Sequence, residues 1–357
     1  MKLKTIREAN IKNKTVLLRA DFNVPMADGK ITSDLRIKAV VPTLKFLREQ
    51  GAKKIIIMSH LGRPEGRDKK LSLKPVAERL NKLVSGVGFS DDVSGPDVEK
   101  AVKNMKSGEI LLLENLRFSK DEEKNSRDFM QEIIDSVQAD IFVQDGFSVL
   151  HRAHASTAAV TEFLPSYAGL LVEKEVLNFE KVLEKPAQPL LMIIGGAKVE
   201  DKAPLIEKFI GMADNIVVGG KIAADGAADE YAKKSDKIYI AEDFDEDETG
   251  AKLDVGPVAT GKIAEMIMGA KTIIWNGLLG KAEDMAYATA STIVAETMGE
   301  KEDAETIICG GDTTGFVEEL ILEHPNLKYS LISTGGGASL EFLLGKELPG
   351  LVPLFVS

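Results

Sequence analysis

Nine short, uninterrupted apolar runs limit what this chain can fold into. Four lie in the first half ("TVLLRADFN", "KKIIIMSHLGRP", "EILLLENLRF", "DIFVQDGF") and five in the second ("PLLMIIGGAK", "NIVVGGK", "TIIWNGLLG", "TIICGGD", "YSLISTGGG"). Their cores are rich in Ile, Val and Leu, the pattern of strands covered on both faces. Segments of helical period stand between them, such as "LRIKAVVPTLKFLREQGA", which ends in a glycine stop signal. Strand alternating with helix, twice over, predicts an α/β chain of two doubly wound, parallel-sheet (Rossmann-like) domains with a cleft between them. The segment "LLVEKEVLNFEKVLEKPAQP" has helical spacing, charged exposed positions and terminal prolines at 186 and 189, so it predicts a connecting helix. The expected boundaries are 1–170, 171–186, 187–339 and 340–357. The acidic stretch 225–252 is expected to hold a truncated helix, a brief strand around "KIYIAED" and a solvated loop.

A length of 357 residues suits two cores. A net charge of −11 argues against general nucleic-acid or anionic-membrane binding. The one cysteine, Cys309, excludes an internal disulfide framework and fits a reducing compartment. The N-terminus has no apolar signal core, and no long uncharged apolar run could span a bilayer. The expectation is a cytoplasmic protein with neither membrane nor nucleic acid as partner.

In open parallel sheets ligands bind beyond the carboxyl ends of the strands, which turns the strand list into a list of candidate site residues. The first half offers Asp21 and Asn23, His60 and Arg63, Arg117 and Asp145, with Arg36 from "SDLRIKA" and Arg152 from "HRAHAS". Arginine forks match carboxylate and phosphate oxygens, so the implied ligand is a small, multiply anionic molecule. The second half offers Gly195, Gly196 and Lys198, then Gly219 and Gly220, then Asn276 and Gly277. Gly310, Gly311 and Asp312 follow, and lastly Gly335, Gly336 and Gly337. Lys198 and Lys202 can neutralise a phosphoryl group, and Asp312 can hold Mg²⁺ beside nucleotide phosphates. Neither GxxxxGK[ST] nor GxGxxG is present, because no Gly-Lys pair precedes Ser or Thr and Leu340 takes the last glycine position of the second pattern.

Each feature alone has a plainer reading. A strand-end Gly-Gly is commonly a tight turn, His60 a satisfied polar residue, and Cys309 a buried small hydrophobe. Arg152 between His151 and His154 disfavours a metal there. Together, arginines in one domain and glycines, lysines and an acid in the other point to phosphoryl transfer.

Eight segments in order carry a resemblance over nearly the whole length: "RADFNVPMADGKITSDLRI", "SHLGRPEG", "LLLENLRF", "HRAHAST", "GGAKVEDK", "WNGLLG", "GGDTT" and "STGGGASLEFLLGKELPG". The chain resembles the phosphoglycerate kinases. The resemblance implies reversible phosphoryl transfer between 1,3-bisphosphoglycerate and ADP, giving 3-phosphoglycerate and ATP, a step of glycolysis. It implies a triose site at Asp21, Asn23, Arg36, His60, Arg63, Arg117 and Arg152. It places Mg-nucleotide at Gly196, Lys198, Lys202, Gly219, Gly220, Asn276, Glu283, Gly311, Asp312 and Thr313, with Glu283 on the ribose and Asp312 on the metal. Arg36, Lys202, Gly336 and Gly337 would act on the phosphoryl in flight, after hinge closure about the connecting helix. The last segment would return to the N-terminal domain, and the protein would be a monomer. Departures gather on the nucleoside side. Lys221, Leu278 and Cys309 replace a glycine, a proline and a glycine of the family pattern, "GVFE" reads "GKAE", and 221–252 is short. A binding or regulatory protein on the same scaffold, or a nicotinamide oxidoreductase, would be the alternatives.

Overall fold

The computed structural model describes residues 2–356. The chain divides into two compact units. One runs to Glu175 and resumes at Glu347; the other is Val176–Lys346.

The first unit holds strands β1 (Thr15–Arg19), β2 (Met26–Ala27), β3 (Lys30–Ile31), β4 (Lys54–Met58), β5 (Val87–Phe89), β6 (Glu109–Leu112), β7 (Ile141–Gln144) and β8 (Ser166–Ala168). Its helices are α1 (Leu35–Glu49), α2 (Lys74–Leu83), α3 (Pro96–Asn104), α4 (Lys120–Glu123) and α5 (Arg127–Val137). Six strands form a parallel sheet in the order β5-β6-β4-β1-β7-β8, while β2 and β3 make a small hairpin. Successive residues feed opposite layers. Val16, Leu18, Ile55 and Ile57 join one buried cluster, whereas Leu17, Ile56 and Met58 join the other. This is why the runs are continuous rather than alternating. Helix α1 ends at Glu49, just before Gly51 at φ 77°. Residues from Glu347 onward pack with this unit: Gly350 N donates to Leu150 O at 2.9 Å, Leu3 bridges Phe355, and Leu348, Leu351 and Leu354 are buried.

Helix α6 (Leu170–Glu184) leads from the first unit into the second. There the strands are β9 (Leu190–Ile194), β10 (Asn215–Val218), β11 (Ile238–Ile240), β12 (Phe244–Glu246), β13 (Lys252–Val255), β14 (Thr272–Asn276), β15 (Glu305–Cys309) and β16 (Leu331–Ile332). The helices are α7 (Val199–Ile210), α8 (Gly220–Ala224), α9 (Asp229–Ala232), α10 (Pro257–Gly269), α11 (Thr289–Gly299), α12 (Gly311–Glu323) and α13 (Gly337–Leu343). A second parallel sheet runs β11-β10-β9-β14-β15-β16. In each sheet the first strand is central and the chain reverses direction across it, so the crevices fall at the carboxyl ends of β1/β7 and β9/β14.

One local expectation fails. The acidic stretch predicted as a solvated loop after "KIYIAED" contains an antiparallel hairpin, Phe244 opposite Val255 and Asp245 opposite Asp254. Its turn is built by Asp247, whose Oδ1 accepts from Thr249 N at 2.8 Å and Ala251 N at 3.0 Å. An aspartate accepting from the backbone two residues on is a turn signal that the run of acids hides.

Candidate active site

In the first unit the site begins with Arg19, the last residue of β1, whose side chain is fully buried in an otherwise apolar strand. A buried Ile or Leu there would contribute roughly 1.5–3 kcal/mol; a buried cation must instead have partners. Nε donates to Ser156 Oγ at 2.7 Å, Nη1 to the Ala20 carbonyl, and Nη2 to His60 Nδ1 at 3.0 Å. Ser156 in turn donates through Oγ and N to the buried Glu122 carboxylate, at 2.6 and 3.0 Å. Since Arg19 only donates, His60 Nδ1 is the acceptor and the ring proton sits on Nε2. Burial and the Arg19, Arg117 and Arg36 charges hold the His60 imidazole well below its usual pKa, against the pull of Asp21. It is neutral at pH 7.

Asp21 lies in the turn after β1. Arg36, at the start of α1, and Ser148 Oγ donate to its Oδ2; Asn23 N donates to Oδ1 at 2.9 Å, and His60 Nδ1 is 4.0 Å away. Burial pushes this carboxyl up, but Arg36, the His60 ring, Ser148 and the Asn23 N–H outweigh it and bring the pKa to about 2. With His60 neutral, Arg36 and the hydrogen bonds carry most of that effect. Asn23 Oδ1 accepts from Gly62 N at 2.8 Å, and Gly62 O accepts from Arg117 Nη1 at 2.8 Å. Arg36, Asp21, Asn23 and Arg117 are thus joined in one hydrogen-bonded chain through Gly62, with the neutral His60 ring beside Asp21 and held by Arg19. Among the described residues no hydrogen bond or ion pair ties Arg63 or Arg152 into it. Arg63 is exposed in the loop after β4, and Arg152 Nε donates to His151 Nε2 at 3.1 Å while its charge is felt at Arg117.

In the second unit the segments just beyond the paired strands β9 and β14 come into backbone contact. Gly196 N donates to Leu278 O at 2.9 Å, and a Cβ on Gly195 would stand 2.2 Å from that oxygen. Gly195 and Gly277 thus permit this close approach. Beside it opens a cavity of about 670 Å³, of the size small-molecule sites have. Gly196, Lys198, Lys202, Gly220, Asn276, Glu283, Gly311, Asp312, Thr313, Gly336 and Gly337 all line it. Gly219 does not; it is buried behind the wall, packed on Leu279.

Lys202 Nζ donates to Asn276 Oδ1, Asn276 Nδ2 to Cys309 Sγ at 3.3 Å, and Gly277 N to Thr313 Oγ1 at 2.8 Å. Burial lowers the Lys202 pKa, opposed by Cys309, Asp201 and Asp312. A desolvated ammonium at a cavity wall exerts its charge on a ligand with little screening. Lys198 is exposed at the N-cap of α7, and Asp312 is exposed in the first turn of α12. Gly336 has φ 52° and caps α13, and the space where its Cβ would be is open.

Arg19, Glu122, Ser148 and Ser156 are the site residues that the sequence reading missed. An arginine inside "TVLLRA" is the signal that could have found the first, since a strand buried on both faces has no place for an unpaired charge. Phe244 and Lys252, which also line the cavity with Lys281 of the loop after β14, were hidden because the hairpin was not foreseen.

Two doubly wound units, one with a basic crevice at its switch point and one with a glycine-walled cavity bearing lysines, have the build of a two-domain phosphotransferase. Comparison with known proteins narrows the class. The profile of the family described as "Phosphoglycerate kinase" matches residues 6–226 and 224–346. Phosphoglycerate kinases of Coprothermobacter proteolyticus and Dictyoglomus turgidum are each 39% identical, covering 100% and 98% of this chain and 100% and 97% of theirs. The alignment with the first spans 398 positions, so part of that relative has no counterpart here. Among solved structures, the phosphoglycerate kinase of Coxiella burnetii superposes with a TM-score of 0.81 at 33% identity, covering 99% of both chains. That of Pyrococcus horikoshii does so with a TM-score of 0.86 at 29% identity, covering 99% of this chain and 98% of that one. The chain belongs to the phosphoglycerate kinase family. Its activity is that family's phosphotransfer to a carboxyl group, and no relative named here favours the binding-protein or oxidoreductase alternative. Among the described residues no helix is long and apolar enough to cross a membrane.

Proposed function

We propose that the first unit holds the triose and the second holds Mg-nucleotide, with phosphoryl transfer in line between them once the two ligands are brought together. The observation that carries this reading is the hydrogen-bonded chain from Arg36 through Asp21, Asn23 and Gly62 to Arg117 at the end of β1, with the His60 ring 4.0 Å from Asp21. It is a polar cluster that presents guanidinium groups and a neutral imidazole N–H to an anion. Arg63 and Arg152 complete the set of cations around the substrate phosphate and carboxylate. The acceptor carboxylate is ionised at neutral pH, so no general base is required. Catalysis then rests on alignment and charge stabilisation. Arg36 is already oriented by Asp21, and it and Lys202 meet the charge on the transferring group. Lys198 holds nucleotide phosphate, and Glu283 addresses the ribose.

At the start of α13 Ala338 N is taken by Gly335 O at 3.0 Å, and Gly336 and Gly337 present the backbone just before it to the phosphoryl group. Among the described residues no cluster of three metal-binding side chains exists. One exposed carboxylate at a cavity edge fits Mg²⁺, which takes one or two carboxylates and completes its shell with water and phosphate oxygens. Asp312 would hold it, and the ion would offset the charge on the nucleotide phosphates. We further propose a cytoplasmic monomer, to be checked by sedimentation equilibrium.

The test is a coupled assay with 3-phosphoglycerate and Mg-ATP. Turnover well above an Arg36→Ala control is expected; turnover equal to that control would overturn the residue assignments.

A further inference from the structure

The cavity of the second unit has two chemically different ends. One carries Lys198, Lys202, Asp312 and the backbone of Gly336. The other is walled by the β12–β13 hairpin and the loop after β14. There Lys252 Nζ lies 4.7 Å from the centre of the Phe244 ring, and Lys281 N donates to Leu253 O at 2.8 Å, fastening loop to hairpin. The Lys281 side chain is exposed at this end of the cavity wall. Lys221 also lines the cavity, with its ammonium 2.7 Å from Asp225.

Several acceptors in this wall are already engaged. Leu253 O takes Lys281 N, Leu278 O takes Gly196 N, and Gly277 O takes Trp275 Nε1 at 2.8 Å. The Asp254 carboxylate turns inward, accepting from Val255 N at 2.9 Å and Ala290 N at 3.0 Å. Apart from the exposed Glu283 carboxylate, assigned above to the ribose, what this end offers a base is an aromatic ring and ammonium donors. An ammonium can only donate. The O6/N7 edge of a 6-oxopurine presents two acceptors, whereas adenine places a donor amino group on the same edge.

We propose that this enzyme uses 6-oxopurine nucleotides at least as well as ATP, with Lys252 and Lys281 addressing the O6/N7 edge and Phe244 the face of the base. The inference rests on the proposed assignment of this cavity to the nucleotide. The measurement is kcat/KM for Mg-ATP, Mg-GTP and Mg-ITP with saturating 3-phosphoglycerate, for the wild-type chain and for a Lys252→Met/Lys281→Met double variant.

GTP and ITP are expected to match or exceed ATP. The double variant is expected to lower the GTP/ATP and ITP/ATP ratios by about tenfold, the scale of one charge-assisted hydrogen bond, with the KM for 3-phosphoglycerate unchanged. Wild-type preference for ATP over both by more than about tenfold, with robust ATP turnover, overturns the inference and leaves the kinase reading standing. Use of GTP but not ITP also overturns it, since the two share O6 and N7. Ratios unmoved in the double variant overturn the roles of the two lysines. Absence of turnover with all three nucleotides overturns the cavity assignment and the inference together.

Discussion

Asp145 Oδ1 accepts the main-chain N–H of Leu171 at 2.9 Å, so a carboxyl at the end of β7 caps the start of the connecting helix α6. The group is fully buried. Burial pushes its pKa up to about 6, against the opposing hydrogen bonds that include the Leu171 and Val172 N–H groups. The folded pKa therefore lies above the unfolded one, the reverse of the usual aspartate. Between the two values the folded state binds more protons, so stability falls as pH rises from about 4 to about 6 and is level above that. The loss is on the order of 3 kcal/mol. Asp145→Asn keeps the acceptor oxygen and removes the charge. Urea unfolding should show the variant gaining stability over wild type near pH 7.5, with the gap closing towards pH 4. A gap of constant size would contradict this linkage.

Arg36 and Asp21 form the opposite case. Asp21 is depressed to about 2, so its contribution is fully present above about pH 4 and is lost as pH falls through 2. Arg36→Ala removes its cationic partner and leaves a buried carboxylate, and the acid limb of the stability curve should move to higher pH. Turnover should fall by about 10²–10³-fold, the scale of losing one charge-stabilising donor. Arg36→Lys, with a charge but no fork, should recover only part of it.

His60 is held neutral with its proton on Nε2. The pH–rate profile should accordingly lack a limb near 6.5 that disappears in His60→Gln. The glutamine amide can still donate, so its main effect should be a several-fold rise in the KM for 3-phosphoglycerate, about 1 kcal/mol of binding. Loss of a titrating limb in the variant would show that His60 changes charge during turnover.

Gly336→Val should depress kcat severely with a smaller change in nucleotide affinity. A Cβ at Gly336 meets no protein atom within 4 Å, but φ 52° strains any side chain there. A cost of about 1–2 kcal/mol is expected from that conformation. Measuring kcat and thermal stability together separates the two effects. A fall in kcat that merely tracks the unfolded fraction would reduce this glycine to a turn residue.

The central strands were legible because burial on both faces leaves continuous runs of Ile, Val and Leu, as in Leu190–Ile194. The edge strands Val87–Phe89 and Ser166–Ala168 were not, being three residues long and interrupted by Gly88 or opened by Ser166. Phe244–Glu246 was lost because a partly exposed strand of Phe, Asp and Glu has the composition of a loop. Most cavity residues followed from the rule that sites lie at strand ends. Their mutual contacts did not, since Lys202 meets Asn276 across 74 positions of chain, and no local pattern encodes such a pair. Gly219 followed the same pattern as Gly196 and Gly220 yet packs on Leu279, a distinction that depends on which side of the strand end the neighbour stands.

The segment containing Leu348, Leu351 and Leu354 is buried in the first unit, although all of the second unit precedes it in the chain. Vectorial synthesis therefore delivers the two units out of their apparent order. The whole of Val176–Lys346 leaves the ribosome before the first unit receives these leucines, so the nascent first unit waits with an apolar seat open, and the second can complete its packing sooner.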